Sequence, residues 1–297
     1  MPPPKTRRIG LATSTLDARD IAKKLYRYDR VHVPLQSAGT NGNDALAQFR
    51  EQGFVAVENV ISPAEVADAI AGLSFLIAGG NKNYKGIEYE QGVEADALTD
   101  EQREHCARKV WLFVEHEPRL KRLAEHPSIL AIVRKLIGGE PNLIQDMALL
   151  KPPRGREKPW HQDSAYFLFE PAEKVVGAWI ALDPALVENG CMHVIPASHL
   201  QGPVPHYHDR DCQIADDTVA MERDVCVPLR PGGALFFSSL LHHGTPPNDS
   251  PLRRRALQFH YAASDCRKVS AEEKGTIFFD AGGAAACMHG RKISDRK

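Results

Sequence analysis

No stretch of the sequence approaches the roughly 18 uninterrupted apolar residues of a membrane-spanning helix, so no span is expected. The opening Met-Pro-Pro-Pro-Lys lacks a basic segment leading into an apolar run, which argues against a secretory leader. Neither charge is in surplus. With 37 Lys and Arg against 38 Asp and Glu, no overall field draws in nucleic acid or an anionic membrane. The six cysteines, Cys106, Cys191, Cys212, Cys226, Cys266 and Cys287, include no C-x-x-C pair and resemble neither a zinc knuckle nor a disulfide framework. A reducing, cytoplasmic setting is the expectation. Internal repeats and low-complexity tracts are also missing.

What remains is an ordinary globular composition, 43% hydrophobic and 25% charged over 297 residues, enough for one large core. Residues 1–43 are polar and broken by Pro34 and the Gly39 to Asn43 cluster, and read as an N-terminal extension. From Asp44 to Gln52 a helix is expected, then a strand-like alternation from Phe54 to Val60. Ser62-Pro63-Ala64-Glu65 carries an N-cap, a proline at the first helical position and a glutamate placed for a capping box. That helix should run to about Ala78, where Gly79-Gly80 stops it. Residues 80–104 look like a long loop, with a lid as one use. Short helices are expected after Pro118 and from Pro127 to Ile137.

The second half changes grammar. Short β-like runs, Asn142 to Leu150, Val175 to Leu182, Cys191 to Ile195, Val225 to Leu229, Ala234 to Phe237 and Arg255 to Ala262, are separated by turn residues. Helices early and strands late predict an α+β chain with a mainly β core, a sandwich or jelly roll.

Within that core, Trp160-His161-Gln162-Asp163 puts an imidazole and a carboxylate two residues apart, on one face of an extended segment. With a distant second histidine this makes a 2-His-1-carboxylate set, which leaves open coordination positions on Fe(II). His-x-Asp alone is a weak pattern in a chain with 13 histidines. The second feature strengthens it: Leu241-His242-His243-Gly244-Thr245 follows a strand, and Arg253-Arg254-Arg255 opens the next one. An arginine leading into an apolar strand is costly to bury unless it meets an anion, and its fork suits a carboxylate.

The joint pattern resembles the phytanoyl-CoA dioxygenase (PhyH) family. It comprises His161-x-Asp163, His243-Gly-Thr-x-x-Asn248-x-Ser250 and Arg254-Arg255-Ala256, with Leu149 to Pro153, Gly177 to Leu182, Glu188 to Cys191 and Ile195 to His199 in the family's order. Resemblance covers roughly residues 44–263, which sets off the oxygenase domain, 44–263, from a C-terminal extension, 264–297. It implies a double-stranded β-helix holding Fe(II) and the co-substrate 2-oxoglutarate, and reacting with O2. By the family's register the distal ligand is His243 rather than His242, five before Asn248, and the co-substrate's anchor is Arg254, eleven after His243. On a strand, Arg253 and Arg255 would face the other way.

The resemblance further implies that Thr245 offers its hydroxyl to the co-substrate, that Met147, Gln162 and Trp179 line its pocket, and that Lys109 meets it. Core packing is the plain alternative for Met147 and Trp179. Tyr166 and Phe167, just beyond the metal ligands, and His206 and His208, in the loop from 200 to 224, are candidate substrate contacts. Hydroxylation of an unactivated C–H bond in a small molecule, with release of succinate and carbon dioxide, is the implied reaction. Asp163 argues against halogenation, since related halogenases lack that carboxylate. Desaturation, epoxidation or ring closure are the alternatives within the enzyme class. A non-catalytic metal-binding jelly roll is the alternative outside it, and Arg254 speaks against that module. The chain is expected to be a monomer or homodimer.

Overall fold

The computed structural model describes residues 20, 24–36, 42–90, 93–94, 97–208 and 210–278. Its strands in chain order are β1 (Phe54–Val57), β2 (Ile87–Tyr89), β3 (Ala107–Trp111), β4 (Pro141–Lys151), β5 (Lys158–His161), β6 (Phe169–Glu170), β7 (Val175–Ala181), β8 (Met192–Val194), β9 (His206–His208), β10 (Cys212–Ile214), β11 (Val225–Val227), β12 (Ala234–Ser238), β13 (His243–Thr245), β14 (Arg254–Ala263) and β15 (Arg267–Lys268). Seven of them form one antiparallel sheet in the order β1-β12-β7-β14-β4-β3-β2, and four form a second in the order β11-β8-β13-β5.

The long central pair sets the architecture. β14 runs against β4 from Arg254↔Lys151 to Ala263↔Pro141, with one irregularity between His260 and Tyr261, and against β7 on its other side. Since side chains alternate along a strand, β14 sends Leu257, Phe259 and Tyr261 to one face. There they share a core with Leu73 and Leu76, Leu120, and Ile129 and Val133. Those residues come from the helices Pro63–Ile77, Pro118–Ala124 and Pro127–Ile137. Burying a side chain of this size contributes about 1.5–3 kcal/mol. On the opposite face Ala256, Trp179 and Phe237 pack with Met192, Val194 and Val227 of the smaller sheet. The two sheets therefore face each other, and the helices cover only the back of the larger one.

Local signals account for the early helices. Ser62 caps its helix by accepting from the Glu65 amide while Glu65 returns to the Ser62 amide, and Pro63 opens the helix. The Pro127–Ile137 helix ends on Gly138, whose φ of 68° is a left-handed cap that glycine adopts without strain.

Residues 80–104 are not one loop: they supply the edge strand β2 and the start of a helix, Asp100–Cys106, capped by Thr99. Residues 25–31 lie against the smaller sheet, where Trp160 donates to the Leu25 carbonyl, Tyr26 stacks on Trp160, and Val31 bridges to Cys226, and Leu35 then bridges to Val57 at the edge of the larger sheet. Cys106, Cys191, Cys226 and Cys266 are free, whereas Cys212 is disulfide-bonded. That departs from the sequence reading, because a single bridge needs no spacing signature, only proximity in the fold. Among the described residues no helix is long and apolar enough to cross a membrane.

Candidate active site

The ends of two neighbouring strands in the smaller sheet assemble the site. His161 closes β5, His243 opens β13, and the two are register partners, so their rings face each other with centroids 4.1 Å apart. Gln162 continues in extended backbone, which returns Asp163 to the same side, and the chain then tightens into a 3-10 turn, Asp163–Ala165. One ligand atom from each of His161, Asp163 and His243 lies within 4.8 Å of the others, and all three residues are buried. The Nε2 atoms of His161 and His243 stand 3.3 and 3.5 Å from the two Asp163 oxygens.

Both rings are oriented the same way. Nδ1 of His161 donates to the Pro159 carbonyl at 2.8 Å and Nδ1 of His243 to Leu241 at 2.9 Å, which leaves each Nε2 lone pair turned to the carboxylate. Burial, with His243 beside it, pushes His161 down to about 4, favouring the neutral form a metal requires. Burial opposes charge on Asp163 as well, yet the His243 and His260 rings hold its carboxyl well below the usual range. His242 takes no part; its amide donates to Ser198 and its buried Nε2 has no partner.

The triad opens into a cavity of about 110 Å³, bounded by both sheets. Lys109, Met147, Tyr166, Phe167, Thr245 and Arg254 all line it. Arg254 is 2% exposed, stacks over Trp179 at 5.2 Å, and makes one long hydrogen bond to the Leu149 carbonyl at 3.4 Å. Its Nε and the Trp179 Nε1 are both buried and lack partners. Burial pulls the guanidinium down to about 10. A buried cation with a spare donor, beside a second orphaned donor, fits a carboxylate and is costly without one. The arginines on either side face away, as strand alternation requires: Arg255 forks onto Asp183 at 2.8 Å, and Arg253 meets Glu104 at 3.1 Å.

Lys151, opposite Arg254 in the register, gives its three donors to Thr245 O (3.2 Å), Thr245 Oγ1 (2.7 Å) and Pro246 O (2.5 Å). The Thr245 oxygen thus accepts from Lys151, and its own proton is free to donate. Lys109 is 3.7 Å from Glu88 and lies over Trp111 at 5.0 Å. Burial, with Lys158 next in weight, lowers it to about 8. Tyr166 receives a bond from Lys158 at 2.9 Å, and Phe167 packs on His260 with centroids 4.6 Å apart.

Three of the sequence candidates stand elsewhere. Gln162 does not line the cavity: lying between two inward residues it points outward, where its amide reaches the Gly202 and Leu240 carbonyls and the Val204 amide. Trp179 lies beneath Arg254 rather than at the cavity wall. His206 is fully buried and structural, accepting from the Gln162 amide at 2.8 Å and donating to the Val204 carbonyl at 2.8 Å. His208 belongs to β9, and its side chain lies outside the described residues.

Sequence reasoning did not single out His260. Its Nε2 is 2.7 Å from Asp163 Oδ2, and Gln258 Nε2 is 3.2 Å from the same oxygen. The signal was available: 254, 258 and 260 share the parity of one strand face, so an anchor at Arg254 marks Gln258 and His260 as inward too.

A buried pair of imidazoles and one carboxylate at the base of a cavity between two sheets fits a non-haem metal site, since three protein ligands would leave coordination positions open. Over residues 49–256 the sequence matches the phytanoyl-CoA dioxygenase (PhyH) family, and the chain belongs to that family. It is 28% identical to a peroxisomal phytanoyl-CoA dioxygenase of Bos taurus over 264 residues, 80% of this chain and 75% of that one. With a probable phytanoyl-CoA dioxygenase of Caenorhabditis elegans it shares 32% identity over 176 residues, 52% of this chain and about half (55%) of that protein. In fold it is similar to the epimerase SnoN in complex with Fe3+, α-ketoglutarate and nogalamycin RO, with a TM-score of 0.60 and 24% identity over 77% of this chain and 86% of that one.

Proposed function

We propose that the protein is an Fe(II)/2-oxoglutarate-dependent oxygenase built on a double-stranded β-helix, or jelly roll. In this reading it hydroxylates an unactivated C–H bond of a small-molecule metabolite, with release of succinate and carbon dioxide. The observation that carries this is Arg254: a buried guanidinium with an unused donor, in the same cavity as a His-Asp-His cluster. A metal module without a dicarboxylate to bind has no use for that cation.

His161, Asp163 and His243 would hold the iron, and Arg254 the far carboxylate of the co-substrate, with Thr245 donating its free proton to it. Iron with 2-oxoglutarate and O2 supplies an oxidant strong enough for an inert C–H bond. The chain's own part is positional. His260 and Gln258 fix the Asp163 carboxylate, the Pro159 and Leu241 carbonyls fix the two rings, and Lys151 fixes Thr245. Phe167 and Met147 give the cavity apolar wall near the cluster, which excludes water from it.

Anaerobic addition of Fe(II) and 2-oxoglutarate should give a weak visible charge-transfer band. It should disappear in His243→Ala and require far more 2-oxoglutarate in Arg254→Ala. A normal band in His243→Ala would overturn the ligand assignment.

A further inference from the structure

Whatever enters this cavity passes a lip on which four cations share three carboxylates. Arg108 stands 3.7 Å from both Glu88 and Glu90, Arg156 is 3.0 Å from Glu90, and Lys158 is 2.8 Å from Asp211. With Lys109 on Glu88, every cation lining the mouth has a carboxylate partner. The two cations deeper in, Arg254 and Lys151, are taken by the co-substrate's end of the site. Among the described residues, then, each cation lining the cavity is already engaged by a carboxylate or by the co-substrate's end of the site.

The unmet polar atoms along the cavity wall are of the opposite kind. Gln145 and Glu157 both line the cavity, and Gln145 Oε1 and Glu157 Oε2 are buried acceptors without a hydrogen-bond partner. Gln145 lies across the ladder from His260, on the face of β4 that also carries Met147, so it stands near the metal carboxylate. The other oxygen of Glu157 takes Arg210 at 2.6 Å, but that guanidinium also serves both oxygens of Asp216 at 2.7 and 2.8 Å. One cation is shared between two carboxylates, which offsets the extra cation at the lip and leaves the entrance neutral overall. Unpaired buried acceptors are costly, and a donor on a ligand would recover that cost.

We infer that the substrate is a neutral or cationic amphiphile, an apolar body carrying hydroxyl or amino donors that meet Gln145 and Glu157, and not an acyl-coenzyme A thioester. This rests on the oxygenase reading above. It sets the chain apart from what the names of its relatives suggest, because a polyanionic handle would meet a neutral lip with spare acceptors.

The test uses the full chain loaded with Fe(II) and 2-oxoglutarate under argon, titrated with octylamine, octanol, octanoate and octanoyl-coenzyme A. Binding is read by tryptophan fluorescence, since Trp111 lines the cavity. Octylamine and octanol should bind at least about tenfold tighter than octanoate or octanoyl-coenzyme A, with octylamine the tighter of the two because Glu157 is a carboxylate. Glu157→Gln should abolish the preference for amine over alcohol. Gln145→Met, which keeps side-chain volume and leaves the Arg210 pair alone, should weaken octanol about fivefold and leave octanoate unchanged. Tightest binding by octanoyl-coenzyme A, no binding by either donor-bearing probe, or an unchanged order of affinities in both variants would each overturn the inference. The charge-transfer band separates the two claims. If it never forms, the oxygenase reading fails; if it forms and the order is inverted, the substrate class alone is wrong.

Discussion

The two faces of β14 are both buried, yet they are built from different chemistry. Toward the helices the strand presents Leu257, Phe259 and Tyr261; toward the cavity it presents Arg254, Ala256, Gln258 and His260. In a half-solvated strand such alternation separates core from water. Here no water-facing side exists, so the polar parity must be held for another reason. The helix face resolves the polar groups it carries, with the Tyr261 hydroxyl donating to the Ala124 carbonyl at 2.7 Å and Arg255 forking onto Asp183 at 2.8 Å. The cavity face leaves Arg254 Nε and His260 Nδ1 without partners. A strand that satisfies one face and leaves the other partly unmet is stabilised by the first and functional through the second.

The sharpest way to break that division is to empty the helix face. Phe259→Ala removes a fully buried ring that meets Phe113 edge-on with centroids 6.0 Å apart. About 3–5 kcal/mol of stability should be lost in urea unfolding, while the folded fraction retains the parent affinity for 2-oxoglutarate. Loss of that affinity at unchanged stability would show that the faces are not separable.

A smaller effect is expected from His260→Leu, on the cavity face. Asp163 Oδ2 would keep only Gln258, and the carboxylate would lose its orientation. Removing a hydrogen bond that orients a ligand typically weakens metal binding by about 10–100-fold, and a chelator competition should show it. Because a structural defect alone could lower activity, the deciding readout is the metal's dissociation constant alongside the unfolding midpoint. An unchanged constant with a lowered midpoint would return His260 to a packing role.

How much of this was legible in the residues depends on whether the signal was local or long-range. The capped helix from Pro63, the strand from Val175 and the pairing of His161 with Asp163 are local, and each is written in adjacent residues. The short strands β5 and β13, which bring His161 opposite His243, carry four and three residues and no alternation long enough to read. Only the family's register chose His243 over His242. The roles of His260 and Gln145 were hidden because each depends on a neighbour on another strand, and single-sequence parity does not say which face is the inner one until one residue, Arg254, fixes it. Gln162 fails for the same reason in reverse, since its position between two inward residues already predicted an outward side chain.

The smallest expected effect tests the comparison at its closest quarters, on two arginines joined by one peptide bond. Arg255 forks onto Asp183 through Nε and Nη2, both at 2.8 Å, and reaches Glu104 at 3.3 Å, with 14% of its side chain exposed. An ion pair at a solvent edge contributes about 1 kcal/mol or less, so Arg255→Met should lower the unfolding free energy by no more than that. Its 2-oxoglutarate titration should coincide with that of the parent protein. Arg254→Ala should do the reverse, because an unpaired buried cation contributes little to folding and its removal takes away the anion's fork. If Arg255→Met weakens 2-oxoglutarate binding as much as Arg254→Ala does, the co-substrate's anchor is a cluster of charge rather than one side chain aimed by strand parity. The two faces of β14 would then have to be treated as a single electrostatic unit.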